Sequence, residues 1–397
     1  MQPDFKQGEI VMKKDRFLIM LVTALVFLLG SFDANAQSAT TSVFATGLKA
    51  PTKIITSPKG NLLVAEQGNG PNTGRISILD LSGNRRTLLD GLPSGIAPPE
   101  NAPSGPSGLA FRGRTLFVVI GQGDATQSGP IPGTDIPNPN PSSPFFSSVL
   151  SVRLSPQAEE TTQGFTMTFN DQLALQSHGF LKLTDAIGNQ LLVVLVSNFP
   201  NFTSDFPSNA VRPSNPFGIV VKGNTLYVVD AGQNSVYEVD SETGSYRTLI
   251  RFPAKPNPLP FGAPFIDAVP NSIRLVGKSL LVSFLTGFPF PAGAAEVRKV
   301  RLVNTASEPF ISGLNSAIDV LPATSSSGGD QFYTLEFSAD MLTNAPGRLS
   351  RFNPADGSRT VLANSLISPT SLAQDPVTGD LFVTQIFPGL IVRVHVP

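Results

Sequence analysis

Oxygen-bearing side chains recur at one place in a repeated phrase of this 397-residue chain. Runs of the type Leu-Phe/Tyr-Val-Val end on Glu66 (VAEQG), Gln122 and Asp124 (GQGDA), Asp230 (VVDAG), Glu336 (TLEFS) and Gln385 (VTQIF). A second set opens the apolar run before each: Thr52, Ser107, Asn215, Asn271, Asn315 with Ser316, and Thr370. Asp319 lies inside one of these opening runs. Carboxylate and amide oxygens are hard donors, the set that suits Ca²⁺ or Mg²⁺. A cation held by about three of them, with a carboxylate base beside it, could hydrolyse an ester or lactone. Glu66, Asp230 and Glu336 are the candidate metal ligands, although their spacing is wide for one ion. The competing expectation is structural. Asp and Asn are ordinary turn formers, and each carboxylate could accept bonds from the next repeat's corner amides and staple the repeats together.

Other chemistries have little to work with. The chain has no Cys, which removes disulfides, thiolate zinc sites and thiol nucleophiles. Its two His, His178 and His395, stand apart and are flanked by no nucleophile motif, so a Ser-His-Asp triad is not expected. No GxxxxGK[ST] phosphate loop is present. The net charge is −1 and only 14% of residues are charged, so nucleic acid is not an expected partner. A different signal comes from SFLTGFPFPAG (Ser283–Gly293), which carries no charge. It places Phe284 where other repeats place Glu or Asp, then Phe288 and Phe290 between prolines. One expectation is a rigid flap whose rings pack over a neighbouring repeat. The other is an apolar lip on a polar mouth, a mixture typical of small-molecule pockets.

The elements that must position these groups can be read from the repeats. The clearest spans Pro213–Phe252: strands at Phe217–Val221, Thr225–Asp230, Ser235–Asp240 and Ser245–Phe252, joined by KGN, AGQN and SETG turns. Copies follow in the same order at Ala50–Leu92, from Gly105 to a third strand at Ser147–Leu154, at Val269–Leu314 and at Asn315–Leu366. The last, Ser368–Val396, stops after its third strand. Its missing fourth resembles TSVFATGL (Thr41–Leu48) at the other end of the chain, so the N-terminal strand is expected to close the ring. Four-stranded units recurring every ~40–55 residues predict an all-β fold, a six-bladed β-propeller of the NHL/TolB-like kind, over 41–397. With 35 Gly and 36 Pro, the composition fits many short strands and turns. The second blade carries an excursion at Gly123–Phe146 and an insertion at about 160–205. In the insertion FLKLTD and QLLVVLV form a hairpin and NDQLALQ one helical turn; an insertion forming its own blade would make seven.

Before the repeats, Lys13, Lys14 and Arg16 precede the apolar run Phe17–Gly30 and an Ala34-Asn35-Ala36 cleavage pattern. Residues 1–36 therefore predict a secretory signal cut after Ala36, since the run is shorter than the ~20 residues that span a bilayer. Translation could start at Met1 or at Met12. The mature chain is expected in the periplasm or outside the cell, as a monomer with no membrane segment after cleavage.

SGPSGLAF, LFVVIGQGD, SNPFGIVV, LYVVDAGQNSVYEVD, DAVPNSIRL, LTGFPFPAGAAEV and IDV…LEF together resemble the ScyD/ScyE family, extracytoplasmic propellers associated with scytonemin gene clusters. The likeness runs through nearly the whole mature chain. It implies fold and compartment more than chemistry, because most of the family has no assigned activity. Some relatives carry a C-terminal sorting helix; this chain ends at IVRVHVP, and release is expected. The expected function is a ligand- or protein-binding scaffold, with a small molecule or protein at the propeller mouth and no firmly implied cofactor beyond a possible Ca²⁺. The alternative is a metal-assisted hydrolase or lactonase of the gluconolactonase-like type. The candidate mouth residues are Glu66, Asp124, Asn215, Asp230, Asn271, Phe288, Phe290, Asp319 and Glu336.

Overall fold

Six antiparallel sheets, each built from one repeat, form a six-bladed β-propeller. The computed structural model describes residues 39–98, 101–131, 133–204, 210–324 and 329–396. The expected signal segment lies outside these residues. Among the described residues no helix is long and apolar enough to cross a membrane.

The inner strands of blades 1 to 6 are Pro51–Thr56, Pro106–Arg112, Pro216–Lys222, Pro270–Val276, Ala317–Thr324 and Pro369–Gln374. Five of them begin with proline, which has no amide hydrogen to give a ladder and is tolerated at a strand's first residue. The strand Thr41–Ala45 pairs with Leu390–Val394 and completes blade 6, as the repeat pattern predicts.

Strand alternation sends successive side chains to opposite faces, and here each face meets a different neighbour. Leu116 and Val118 pack towards blade 1, while Phe117 and Val119 pack towards blade 3. The same logic repeats around the ring. A separate apolar cluster fills each of the six seams, including the closing seam of Ile54 and Leu62 with Phe382 and Ile391.

The insertion belongs to blade 2. Its strand Gln190–Asn198 pairs with the third strand Ser148–Arg153 and serves as that blade's fourth strand. Phe180–Thr184 then adds a fifth at the edge. No seventh blade forms, because the third strand would otherwise lack an outer partner. The single helical turn expected at NDQLALQ is a helix, α2, of ten residues (Phe169–His178), preceded by α1 (Pro156–Thr161). A Thr168–Asp171 capping box starts α2, and Gly179, with φ 77°, ends it. Ala158, Phe165, Met167 and Leu175 from this segment bury themselves in the seam between blades 1 and 2.

Candidate functional site

The carboxylates at the ends of the second strands turn back into their own blades. Glu66 is fully buried and accepts from the Lys49 amide at 2.5 Å and from the Ser77 hydroxyl. Asp230, also fully buried, accepts from Ser214 Oγ at 2.5 Å and from the amides of Asn215 and Gln233 at 2.8 and 3.0 Å. Burial pushes its pKa up against those bonds. Glu336 takes a two-pronged ion pair from Arg348 at 2.8 and 2.9 Å and the Asn315 amide at 2.8 Å. Each therefore ties the entry of its own inner strand to the end of the second strand. The expected bonds to the next repeat's amides are not what these three carboxylates make. Nor do they converge: among the described residues no group of three or more His, Cys, Asp or Glu could hold a metal ion.

The stapling between blades falls to other residues. Every inner strand carries a bulge at its second position. From that position Thr52 donates to the Pro106 carbonyl at 3.0 Å, Ser107 to Pro216 at 2.9 Å, Asn271 to Ala317 at 3.0 Å, and Thr370 to Pro51 at 2.9 Å. Each acceptor is the first residue of the next inner strand. The last of these bonds closes the ring. Blades 3 and 5 place Phe217 and Ile318 there instead. Phe217 packs against both the cluster of blades 3 and 4 and that of blades 5 and 6, to which Ile318 belongs and which Leu285 and Phe337 adjoin. The axial mouth is thus partly apolar, not the continuous ring of carboxylates and amides expected.

One layer further in, the third positions are Lys53, Gly108, Gly218, Ser272, Asp319 and Ser371. Asp319 has no solvent exposure, and seven donors reach its two oxygens. Lys53 crosses from blade 1 at 3.1 Å, and Arg274 arrives from blade 4 at 2.7 Å. Ser272, Ser371 and the amides of Val320 and Leu372 supply the rest. Burial alone would raise this carboxyl's pKa. The charges of Arg274 and Lys53 and the hydrogen bonds outweigh it and hold the group well below the usual range. Lys53 experiences the reverse: burial, and then repulsion from Arg274, lower its pKa to about 8. Asp319 does point into the channel, as an anchor joining blades 1, 4, 5 and 6.

An open concavity lies over blades 2 to 4. It has a volume of about 360 Å³ and is lined by Gln122, Asp135, Arg212, Asn215, Asp267 and Val269, among others. Asn215 Oδ1 accepts the Gln122 amide at 3.2 Å and so links blades 2 and 3. Arg212 donates Nε to the Gly232 carbonyl at 2.5 Å and a terminal nitrogen to Asp267 Oδ1 at 2.9 Å. Asn234 donates to the same oxygen at 2.7 Å. Among the described residues, Arg212 Nη1 and Asp267 Oδ2 make no hydrogen bond, which leaves a donor and an acceptor on this pair.

The aromatic loop is tied by its backbone to one residue that lines this concavity. Gly287 donates its amide to the Asp267 carbonyl at 2.9 Å, one residue before Phe288. Phe288 is 56% exposed and meets Phe261 and Phe290 edge-on, at centroid distances of 6.3 and 5.9 Å. Its ring is partly covered by Phe261 of the connector between blades 3 and 4 and otherwise faces solvent, while Phe290 is half-buried. Phe284 is the packing residue, buried edge-on against Phe252 at 4.7 Å.

Among the sequence candidates, then, Asn215 lines the concavity, and Phe288 and Phe290 stand in the loop whose Gly287 bonds to Asp267. Asp124 pins the blade 2 excursion by accepting from Ser142 N and Oγ at 2.9 and 3.0 Å. Glu66, Asp230, Asn271, Asp319 and Glu336 hold the frame. Arg212 and Asp267 escape a repeat-based reading because they sit in connectors between blades. The signal for Lys53 and Arg274 is a charge at an alternating position of an otherwise apolar inner strand.

No family model matches this chain, and no curated protein matches it. Solved structures that resemble it are distant. One is a glucose dehydrogenase-type oxidoreductase of Thermus thermophilus, with 15% identity and a TM-score of 0.46, covering 90% of this chain and 99% of that one. Another is the Cps50 (Swd1) β-propeller domain of Myceliophteria thermophila, with 12% identity and a TM-score of 0.43, covering 91% and 99%. A third is an auxiliary nutrient binding protein of Bacteroides thetaiotaomicron, with 8% identity and a TM-score of 0.49, covering 88% and 69%. At these values none carries an argument about function, and the fold rests on the chain's own six sheets.

Proposed function

We propose that this chain is a ScyD/ScyE-like binding module working outside the cytoplasm, which takes a neutral, hydroxyl-bearing small molecule with an apolar face. The supporting observation is the Arg212–Asp267 pair, whose charges cancel while one donor and one acceptor remain free among the described residues. Hydroxyl groups both donate and accept, so they suit such an alternation better than a charged ligand does. The exposed rings of Phe288 and Phe261, in and against the loop that bonds to the Asp267 backbone, offer the apolar face. The Lys13–Ala36 pattern supports the compartment. No observation favours the hydrolase alternative, since Glu66, Asp230 and Glu336 are each engaged within separate blades.

Calorimetric titration with a set of mono- and disaccharides and phenyl glycosides tests this. Saturable binding is expected for at least one phenyl glycoside. Arg212→Gln and Asp267→Asn should each weaken it about tenfold or more, the loss of a charge-assisted hydrogen bond worth about 1.5–3 kcal/mol. Phe288→Ala with Phe290→Ala should weaken it while leaving the melting temperature nearly unchanged. No saturation by any of these compounds refutes the proposal.

A further inference from the structure

A second concavity lies at the outer part of blade 2, away from the mouth pocket, with a volume of about 520 Å³. The register explains its chemistry. Arg153 on the third strand pairs with Leu192 on the fourth, and Leu192 pairs with Lys182 on the fifth. Residues directly opposite across adjacent strands point to the same face. Two cations therefore flank one leucine, on strands about 10 Å apart at the usual ~4.8 Å spacing, within reach of a shared ligand. Both side chains are exposed and make no hydrogen bond or ion pair with the described residues.

The neighbourhood leaves that charge uncancelled. No acidic residue lines the concavity. The nearby carboxylate, Glu159, has no exposed surface and is already engaged by Arg114 at 2.7 Å, by Asn61 at 3.2 Å and by Ser57. Arg114 is also fixed by its bond from Nε to the Leu154 carbonyl at 3.0 Å. Leu154 and Leu191 line the same concavity, and Leu192 is 37% exposed. Two unpaired cations on either side of the exposed Leu192 complement an anionic head joined to an apolar group.

We infer that this concavity is a binding site for an anionic amphiphile, a phosphate or sulfate ester with an alkyl or aryl substituent. Arg153 and Lys182 hold the head and Leu192 holds the substituent. The fifth strand exists only because of the insertion, so the site is a property the insertion adds to blade 2.

The test is calorimetric titration of the full chain with hexyl phosphate, inorganic phosphate and phosphatidylglycerol vesicles. Hexyl phosphate is expected to bind at least tenfold more tightly than inorganic phosphate. Arg153→Gln with Lys182→Gln should reduce its affinity at least tenfold, and Leu192→Ser should remove most of its advantage over inorganic phosphate. All three positions are solvent-facing, so an unchanged melting curve is expected, and Arg212→Gln serves as a variant of the other pocket that should bind normally. Vesicle binding that is lost in the double variant identifies a lipid headgroup as the source; hexyl phosphate binding without it identifies a free ester. No binding of either, or binding equal in the double variant, overturns the inference.

Discussion

The channel anchor carries two cations for one carboxylate, and removing its charges one at a time should have opposite effects. Lys53 keeps its proton against burial and against Arg274, and its pKa falls from 10.5 to about 8. At 1.36 kcal/mol per unit, that gap of about 2.5 means the buried charge costs about 3 kcal/mol at neutral pH. Lys53→Met keeps the stem length and removes the charge, while Asp319 retains Arg274, Ser272, Ser371 and two amides. The variant should be as stable as the parent or up to about 3 kcal/mol more so. Asp319→Ala instead strands Lys53 and Arg274 without a counter-charge and should cost about 3–5 kcal/mol or more. The pH dependence gives an independent reading. Below pH 8 the folded and unfolded chains both hold the proton and the full penalty applies. Between about 8 and 10.5 the unfolded chain still binds a proton that the folded chain has released, so the unfolding free energy rises with pH. Urea unfolding of the parent and of Lys53→Met at pH 7 to 10.5 should show this rise in the parent relative to the variant. A Lys53→Met variant that loses more than about 1 kcal/mol, or that keeps the same alkaline slope as the parent, refutes the account.

Two further outcomes test the frame and the insertion. Thr370→Val keeps the shape of the side chain but removes the bond that closes the ring onto the Pro51 carbonyl; urea unfolding should show a loss of about 1 kcal/mol, and no loss would mean that the apolar seam of Ile54 and Phe382 closes the ring unaided. Asp185 anchors the inserted hairpin to the end of α1; burial opposes its charge, but bonds from Asn189 and Thr162 hold its pKa at about 2. Its contribution is present above the ordinary value of 3.8 and is lost as pH falls through about 2, so stability of the parent relative to Asp185→Asn should shrink between pH 4 and pH 2, and a difference that is flat over that range would contradict the assignment.

The blades were legible because each strand is short, alternating and bounded by Gly, Asn or Asp turns, so local patterns coincide with the global repeat. Ring closure was legible for the same reason: Thr41–Ala45 matches the fourth strands of other blades and has no partner near it in sequence. The chemistry of the mouth was harder to read. A glutamate at a strand end looks the same whether it faces solvent, as a metal ligand must, or folds back onto an amide 17 residues earlier, as Glu66 does onto Lys49. Lys53 and Asp319 meet across 266 residues, a pairing that depends on how many blades separate them. Arg212 and Asp267 lie 55 residues apart in connectors with no periodicity, so no repeat alignment brings them together.

The glycines of the channel layer set how closely blades 2, 3 and 4 approach one another. Blades 4, 5, 6 and 1 send Ser272, Asp319, Ser371 and Lys53 into the axis and fill it. Blades 2 and 3 contribute Gly108 and Gly218, whose missing side chains let neighbouring backbones approach. A Cβ on Gly218 would lie 2.7 Å from the Asn271 carbonyl and one on Gly108 2.7 Å from that of Phe217. Neither acceptor is a flexible side chain, so blade 4 must move if Gly218 is replaced. Gly218→Ala should therefore cost about 1–3 kcal/mol by overpacking. It should also disturb Val269 and Asp267 just ahead of Asn271, and so weaken ligand binding at the mouth pocket. Gly70→Ala, where a Cβ meets nothing within 4 Å, is the matched control and should change neither. If Gly218→Ala unfolds at the same urea concentration as the control, close backbone approach at this layer does not set the spacing of blades 3 and 4, and the link from the glycines to the pocket fails with it.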